Sequence, residues 1–440
     1  METASPQNKI EDKLVFDNDV VAMSAVNGLY GYNFISSSYH DTYKWLYTGY
    51  SADEIQYYTL STNIDQFATN DILNSNTVCW DFWKVPYKAI YQSNLIIEGF
   101  EKSAVLSAAV KREGVAVAKF FRALNYLNLV TAFGDVPLIL ASDLESSKSM
   151  ARTNAAEVYK QIVKDLQDAK EGLQGNTNGN VYVNEKSATA LLARTYLYNR
   201  QWQEAADASA ELITGPLNGG LALENISNVF LRSSKETILA ISSNGSSTTY
   251  INYTYAGSIT VPATSAIQAT YQLTNSLLNA FEENDLRRTA WVGTVGTPET
   301  FFPYKYKQKS PPLDAAMYED QVLIRLAEMY LIRAEANAQL GNLAEAASDL
   351  NAIRNRAGLY DLATDLSQAD LLLAVEQERR VELFAEYGHR WADLVRTGRA
   401  DAVLGAYKPD TWKSTDALYP IYFKEFEYNG NLTQNPGYER

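Results

Sequence analysis

Cysteine is nearly missing from this chain. Cys79 is alone among 440 residues, which excludes an intrachain disulfide and any cysteine-based zinc site. Histidine is almost as scarce. His40 and His389 are the two present, so a multi-histidine metal centre is excluded as well. No run approaches the ~20 apolar residues of a membrane-spanning helix. The opening Met1-Glu-Thr-Ala-Ser-Pro-Gln-Asn lacks the basic and apolar regions of a signal peptide. That leaves open a cytosolic protein or a mature chain behind a new initiator methionine. Positive charge is also short: 38 Lys and Arg stand against 52 Asp and Glu, a net charge of −14. Nucleic-acid binding needs a basic face, and docking on anionic lipid needs the same. Both are disfavoured, whereas a neutral polar ligand is indifferent to the sign.

What remains is globular. Hydrophobic residues make up 46% and charged residues 20%, enough for a large core and too apolar for a disordered chain. The length suits two or three units or one large fold. Tyrosine is in excess, with 30 against 15 Phe and 7 Trp.

Helical and irregular blocks alternate. Val21, Ala25 and Leu29 give 14–35 a helical spacing. Residues 36–78 are polar and Tyr-rich, and predict loop with short helices, longer than loops usually run unless they have a function. Trp83, Tyr87, Ile90 and Tyr91 predict a helix over about 80–100. The stripe Val117, Phe120, Phe121, Leu124, Leu127, Val130 predicts the strongest helix, over 108–133, stopped by Gly134. A further helix follows Thr153 as cap, and 185–214 reads as a helical hairpin. Residues 215–310 change to Ser, Thr, Gly, Asn and Tyr. They hold a β-like run at Thr237-Ile-Leu-Ala-Ile and a helix around Leu273–Phe281. Helical periodicity returns at 320–358 and 367–398, and the last forty residues are irregular.

An internal repeat runs through these blocks. Leu192-Ala193, Trp202, Ala205-Ala206 and Leu212 match Arg333-Ala334, Leu343, Ala346-Ala347 and Ile353 at one constant offset. Small residues at a helix crossing, a short polar turn and a second helix are the pattern of a tetratricopeptide-type hairpin. Copies this far apart are not expected to stack as a plain solenoid, so 215–310 should be an insertion on one side of the scaffold.

Several segments in order resemble the SusD/RagB family of surface glycan-binding lipoproteins. They are Phe120-Phe-Arg-Ala-Leu-Asn-Tyr-Leu, Phe133-Gly-Asp-Val-Pro-Leu, Leu191-Leu-Ala-Arg-Thr-Tyr-Leu-Tyr198, Ile324 to Glu335, Leu350-Asn-Ala-Ile-Arg-Asn-Arg-Ala-Gly-Leu359, Glu378-Arg-Arg-Val-Glu-Leu, Gly388-His-Arg-Trp-Ala-Asp-Leu394, Leu418-Tyr-Pro-Ile and Asn429 to Gly437. The resemblance extends from about residue 14 to the C-terminus and is weakest at 36–78 and 240–310, which in that family are the variable, ligand-facing parts. It implies a mainly α fold: one SusD-like domain over 1–440, with a scaffold of tetratricopeptide-like hairpins at about 14–35, 80–214 and 320–398. Long irregular loops and a few short strands would carry the ligand-facing insertions at about 36–79 and 215–319. It further implies an outer-membrane lipoprotein on the extracellular face of the cell. Such a protein binds oligo- or polysaccharide without catalysis and delivers it to a SusC-like TonB-dependent transporter. The lipidated N-terminal cysteine of the family is not in this chain, where Cys79 is internal.

Binding a sugar needs flat aromatic faces for the C–H side of the ring and in-plane polar groups for its hydroxyls. Two clusters fit. Around the first insertion lie Tyr50, Tyr57 and Trp80, with Asp41, Asp65, Asn70 and Asn76 as polar partners. Tyr39, Tyr43, Trp45, Tyr47, Tyr58 and Trp83 belong to the same stretch. In the second insertion lie Tyr250, Tyr253, Tyr255 and Trp291, followed by Phe301, Phe302, Tyr304 and Tyr306, with Asn244, Asn252, Lys305 and Lys307 as polar partners. A platform formed by both clusters is the expected ligand site, with Trp80 and Trp291 as its leading rings. For each ring the alternative is packing beneath a long loop. Arg379, Arg380, Arg390, Asp393 and Arg396 read as ion pairs that fix helix geometry.

Catalysis finds little support. No segment marks a carboxylate pair, a phosphate loop, a nucleophile elbow or a His-based triad. Glu386 and His389 have the spacing of a helical ligand pair, but Gly388 interrupts it. Asn176-Thr-Asn-Gly-Asn180 has oxygens for a surface Ca²⁺, as any polar turn does. No cofactor and no metal are expected. The competing readings are a tetratricopeptide-type interaction scaffold or peptide receptor and, third, a glycoside hydrolase.

Overall fold

The computed structural model describes residues 15–35, 39–59, 61–243, 250–264 and 268–440. Its frame is a line of antiparallel helices. Helices Thr77–Lys102, Ala108–Phe133, Ala155–Gly172, Glu185–Tyr198, Trp202–Ile213, Leu326–Leu340, Leu343–Arg356 and Gln368–Glu382 each pack on the next. Their starts are fixed by side-chain caps. Asn76 accepts from Val78 and Cys79 N–H at 3.0 Å each, and Ser107, Asn154, Asn184 and Ser367 do the same for their helices. Thr153 is not the cap expected for 155–172. It forms a β-bridge with Val136, and Asn154 takes the role because it sits one residue nearer the first turn.

Helix Ala108–Phe133 coincides with its periodic stripe. Phe120, Phe121, Leu124, Leu127 and Val130 are all buried, each such side chain contributing ~1.5–3 kcal/mol. Gly134, at φ 70°, ends it.

The repeat is realised as two hairpins, Glu185–Tyr198 with Trp202–Ile213 and Leu326–Leu340 with Leu343–Arg356. Contrary to the sequence expectation, they stack directly: Trp202–Ile213 lies against Leu326–Leu340. Small side chains make the close approach possible, since Ala205, Ala334 and Ala338 are fully buried. The intervening residues loop out and return. Strand Thr237–Ile241 leaves the stack and pairs antiparallel with Gln321–Arg325, which re-enters it.

Buried charge ties the stack together. Arg194 is paired with Glu328 at 2.7 Å across the two hairpins. Arg325 reaches Glu236, Glu382 and Glu386 at 2.5–2.8 Å, and Arg287 holds Asp285, Glu378 and Glu382. Of the sequence-singled arginines, Arg379 pairs with Asp393 at 2.7 Å and Arg396 with Glu335 at 2.6 Å. Such pairs fix geometry more than they add stability, because desolvation offsets most of the attraction.

The insertions carry the remaining elements. Short helices Lys44–Ser51 and Thr62–Thr69 flank strand Ile55–Tyr57. That strand pairs antiparallel with Tyr271–Leu273. The helix expected around Leu273–Phe281 is therefore a strand followed by one turn, Asn275–Leu278, because Tyr271 and Leu273 are taken up by cross-strand pairing.

Candidate functional site

The two aromatic insertions meet. The register Ile55–Leu273, Gln56–Gln272, Tyr57–Tyr271 puts Tyr57 beside Tyr271, ring centroids 5.5 Å apart. Helix Tyr255–Thr260 packs on the turn Tyr39–Tyr43. The result is a run of touching rings: Tyr43 to Tyr47 at 5.3 Å, Tyr47 to Tyr50 at 5.8 Å and Tyr50 to Tyr57 at 6.4 Å. On the insertion side Tyr250 contacts Tyr255 at 5.1 Å and Tyr253 at 5.4 Å. Edge-to-face and tilted contacts of this kind hold rings in place without covering both faces.

Burial grades across the cluster. Tyr50 is its floor at 1% exposure, and Tyr47 is nearly buried. Tyr43, Tyr57, Tyr250, Tyr253, Tyr255 and Tyr271 are half-buried. Tyr58 is 62% exposed and Gln56 is open to solvent. Burial shifts several of the hydroxyls upward. Burial first, then the neighbouring hydroxyls of Tyr57, Tyr255 and Tyr43, push Tyr271 up to about 12. Burial, then Tyr43, Tyr271, Asp81 and Tyr255, raise Tyr47 well above an ordinary phenol. A neutral phenol both donates and accepts, which suits a hydroxylated ligand.

The strand pair that carries Tyr57 and Tyr271 is anchored from below. Asp53 precedes it, with its side chain 1% exposed. Arg390 Nε donates to Asp53 Oδ1 at 2.8 Å, Arg380 Nη2 to Oδ2 at 2.5 Å and Ser276 Oγ to Oδ2 at 3.0 Å. Burial would raise the Asp53 carboxyl, but Arg390 and Arg380 outweigh it and hold the group below the ordinary carboxylate range. Thr274 closes the corner, its N–H donating to Glu54 O at 3.0 Å and its hydroxyl to Asp53 O at 2.5 Å. Two of the sequence-singled arginines therefore fix the tyrosine strands from the helical scaffold.

The expected site residues separate into those the fold brings to this surface and those it does not. Tyr57, Tyr250, Tyr253 and Tyr255 are in the cluster, and Tyr50 lies beneath it as a core ring. Trp291 is a correction. It is 1% exposed, donates from Nε1 to Ile226 O at 3.0 Å and packs against Phe230 and Phe384 with Lys305 over its ring. The short helix Leu286–Trp291 turns it inward because Arg287, four residues earlier, is locked into the buried acid network.

Trp80 is half-buried and also departs from expectation. Tyr422 stacks on it at 4.6 Å and 14°, Lys84 Nζ lies 4.0 Å from its ring centre, and Glu425 accepts from its Nε1 at 2.8 Å. A parallel ring and an ammonium that close cannot share one face, so neither face is open to a sugar. Asn70 and Asn76 are corrections of the same sort. Asn70 is a buried left-handed residue at a helix end whose Oδ1 accepts from Lys408 Nζ, and Asn76 is a buried helix cap. Asp65 is half-buried and accepts from Ser61 N–H at 3.1 Å in the first turn of its helix. The side chain of Asp41 lies outside the described residues.

Tyr271, Gln56 and Gln272 were missing from the expected set. The amides of Gln56 and Gln272 bond one another at 3.1 Å on the strand face opposite Tyr57 and Tyr271, and brace the pairing of the two strands. The signal was alternation: in Tyr57 and in Tyr271-Gln-Leu273 a ring sits two residues from a buried aliphatic, Ile55 and Leu273.

Among the described residues no cluster of His, Cys, Asp or Glu is arranged to hold a metal ion. Glu386 is held by Arg325 and Lys305, away from any ligand geometry with His389. In the turn at 176–180 the Asn176 side chain is engaged by Glu113 and by Asn178 N–H.

Comparison with known proteins agrees with this architecture. The model of the SusD family matches residues 292–438, and that described as "starch-binding associating with outer membrane" matches 7–197. A SusD-like protein of Formosa agariphila is 28% identical over 407 residues, covering 81% of this chain and 80% of its own length. The starch-binding protein SusD of Bacteroides thetaiotaomicron is 32% identical over 143 residues, 30% of this chain and 25% of its own. Among solved structures, a SusD superfamily protein from Bacteroides vulgatus superposes with a TM-score of 0.84 at 21% identity, covering 96% of this chain and 100% of the other. A laminarin-binding SusD-like protein gives 0.78 at 24% identity, with coverage of 96% and 100%. Two family models matching opposite ends, relatives along most of its length and a shared fold lead to one conclusion: the chain belongs to the SusD/RagB family.

Proposed function

We propose that this chain is a non-catalytic receptor for oligo- or polysaccharide. The tyrosine surface shared by Ile55–Tyr57, Tyr271–Leu273 and Tyr250–Tyr255 would be its binding platform. The observation that carries the reading is the convergence of two segments some two hundred residues apart into one half-exposed field of rings. Rings of this kind offer apolar faces to sugar C–H groups, while their hydroxyls meet sugar hydroxyls. The open surface suits a polymer laid across it, with modest affinity at each site. The relatives that bind starch and laminarin support a glycan as the ligand class. The family description "associating with outer membrane" supports the same placement for this protein. Its role there would be delivery of the bound glycan to a TonB-dependent transporter.

The test is native affinity electrophoresis of the purified chain in gels containing individual polysaccharides, with overnight incubation of each polymer as a parallel assay. We expect retardation by at least one polymer, loss of that retardation in Tyr57→Ala with Tyr271→Ala, and no new reducing ends. Retardation that survives the double substitution, or release of reducing ends, would contradict the proposal.

A further inference from the structure

The ligand platform is built from sequence without charge. Residues 237–281, forty-five in succession, contain no Asp, Glu, Lys, Arg or His in a chain that is 20% charged. This run supplies Tyr250, Tyr253, Tyr255 and Tyr271. The opposing side repeats the pattern: 45–52 and 55–64 are also free of charge, and they supply Tyr47 and Tyr57. The internal segments outside the described residues belong to the same composition, since 36–38, 60, 244–249 and 265–267 hold only Ser, Leu, Asn, Gly, Thr, Ala and Ile.

Among the described residues, charged groups near the rings are engaged by other groups of the protein. Asp81 pairs with Lys84 at 2.8 Å. Asp53, beneath the strands, is held by Arg380 and Arg390. Lys309 donates to the carbonyls of Ser258 and Val261 at the end of helix Tyr255–Thr260, at 2.9 and 2.8 Å. Burial holds the Tyr271 and Tyr47 hydroxyls above the ordinary phenol value.

We infer that the platform selects electrically neutral glycans and rejects uronic or sulfated ones. This rests on the platform being the glycan site. Among the described residues, a carboxylate or sulfate laid on these rings would shed water without meeting a cation that is not already engaged by the protein, and an unpaired anion is costly to desolvate. The field of a chain with net charge −14 adds repulsion at a distance. A neutral polymer meets neither cost, and its contacts with phenols do not depend on ionic strength.

The experiment uses the full chain in affinity gels with starch, laminarin and a mannan as neutral probes and alginate and polygalacturonate as anionic ones. Each is run at about 50 and about 500 mM NaCl, a span that shortens the Debye length from ~14 to ~4 Å. Retardation by a neutral polymer, changing less than about twofold with salt and lost in Tyr57→Ala, with free migration in both anionic gels, is the expected result. Retardation by alginate or polygalacturonate that Tyr57→Ala abolishes would overturn the inference while leaving the platform intact. Retardation by none of the polymers, or by a neutral one regardless of Tyr57→Ala, would refute the platform and the inference with it.

Discussion

Asp53 links the helical scaffold to the platform strands through two arginines, and its removal makes a quantitative test. In Asp53→Asn the two guanidinium groups lose their shared carboxylate. Arg390 keeps Glu376 at 3.2 Å, but Arg380 keeps only the Ser276 hydroxyl at 2.7 Å. The side chains of Asp53, Arg390 and Arg380 are 1%, 3% and 15% exposed. Breaking a buried pair from one side costs ~3–5 kcal/mol, because a charge stays buried without its partner. For a 440-residue chain the unfolding entropy converts this to a fall in Tm of about 3–5 °C. The loss should be local as well. Amides of Ile55–Tyr57 and Tyr271–Leu273 should exchange faster in deuterium-exchange mass spectrometry, and glycan affinity should fall. Asp165→Asn is the control: its carboxylate pairs with Arg122 at 2.7 Å, equally buried, among the helices at 108–133 and 155–172. It should lower Tm by a similar amount while leaving affinity unchanged. A Tm within 1 °C of the parent for Asp53→Asn, or equal loss of affinity in both variants, would refute this reasoning.

Other expectations follow from burial. Trp291→Ala should cost ~3–5 kcal/mol by opening a core cavity, read as a lowered denaturant midpoint, while the molecules that fold still bind. Trp80→Ala should leave glycan retention in place, since both faces of that ring are already occupied. Glu54 is 3% exposed, and burial, then Asp53, push it up to about 8 against the pull of Arg390, Lys305 and Arg380. A raised carboxyl gives stability that is complete below its unfolded value of ~4.3 and is lost as pH climbs to about 8. Glu54→Gln should therefore gain on the parent between pH 5 and pH 9 in a thermal-shift series, and a constant difference would contradict the assignment.

Much of the scaffold was legible because its signals are local. Phe120, Phe121, Leu124 and Leu127 repeat at the helical period, and their helix lies where the stripe lies. The hairpin repeat was legible too, but not its stacking, since nothing in the sequence shows that the chain leaves and re-enters through Thr237–Ile241 and Gln321–Arg325. The two-cluster idea of the site rested on composition, and the fold does join those segments. Which rings face out was not readable. Trp291 is set inward by Phe230, Phe384 and Ile226, all far off in sequence. The role of Asp53 was invisible for the same reason, its partners lying 327 and 337 residues away. Tyr271 was missed as a single tyrosine whose meaning appears only when Tyr57 is placed opposite.

Hydroxyl-radical footprinting, read by mass spectrometry with and without a retained glycan, addresses the platform most directly. Tyr57 and Tyr271 should be protected by the ligand, with Tyr250, Tyr253 and Tyr255 following, while Tyr428, 69% exposed beside a separate cavity lined by Trp83 and Tyr87, should label equally in both states. Protection at Tyr428 and the neighbouring helix, with Tyr57 and Tyr271 unchanged, would place the ligand elsewhere and contradict the account.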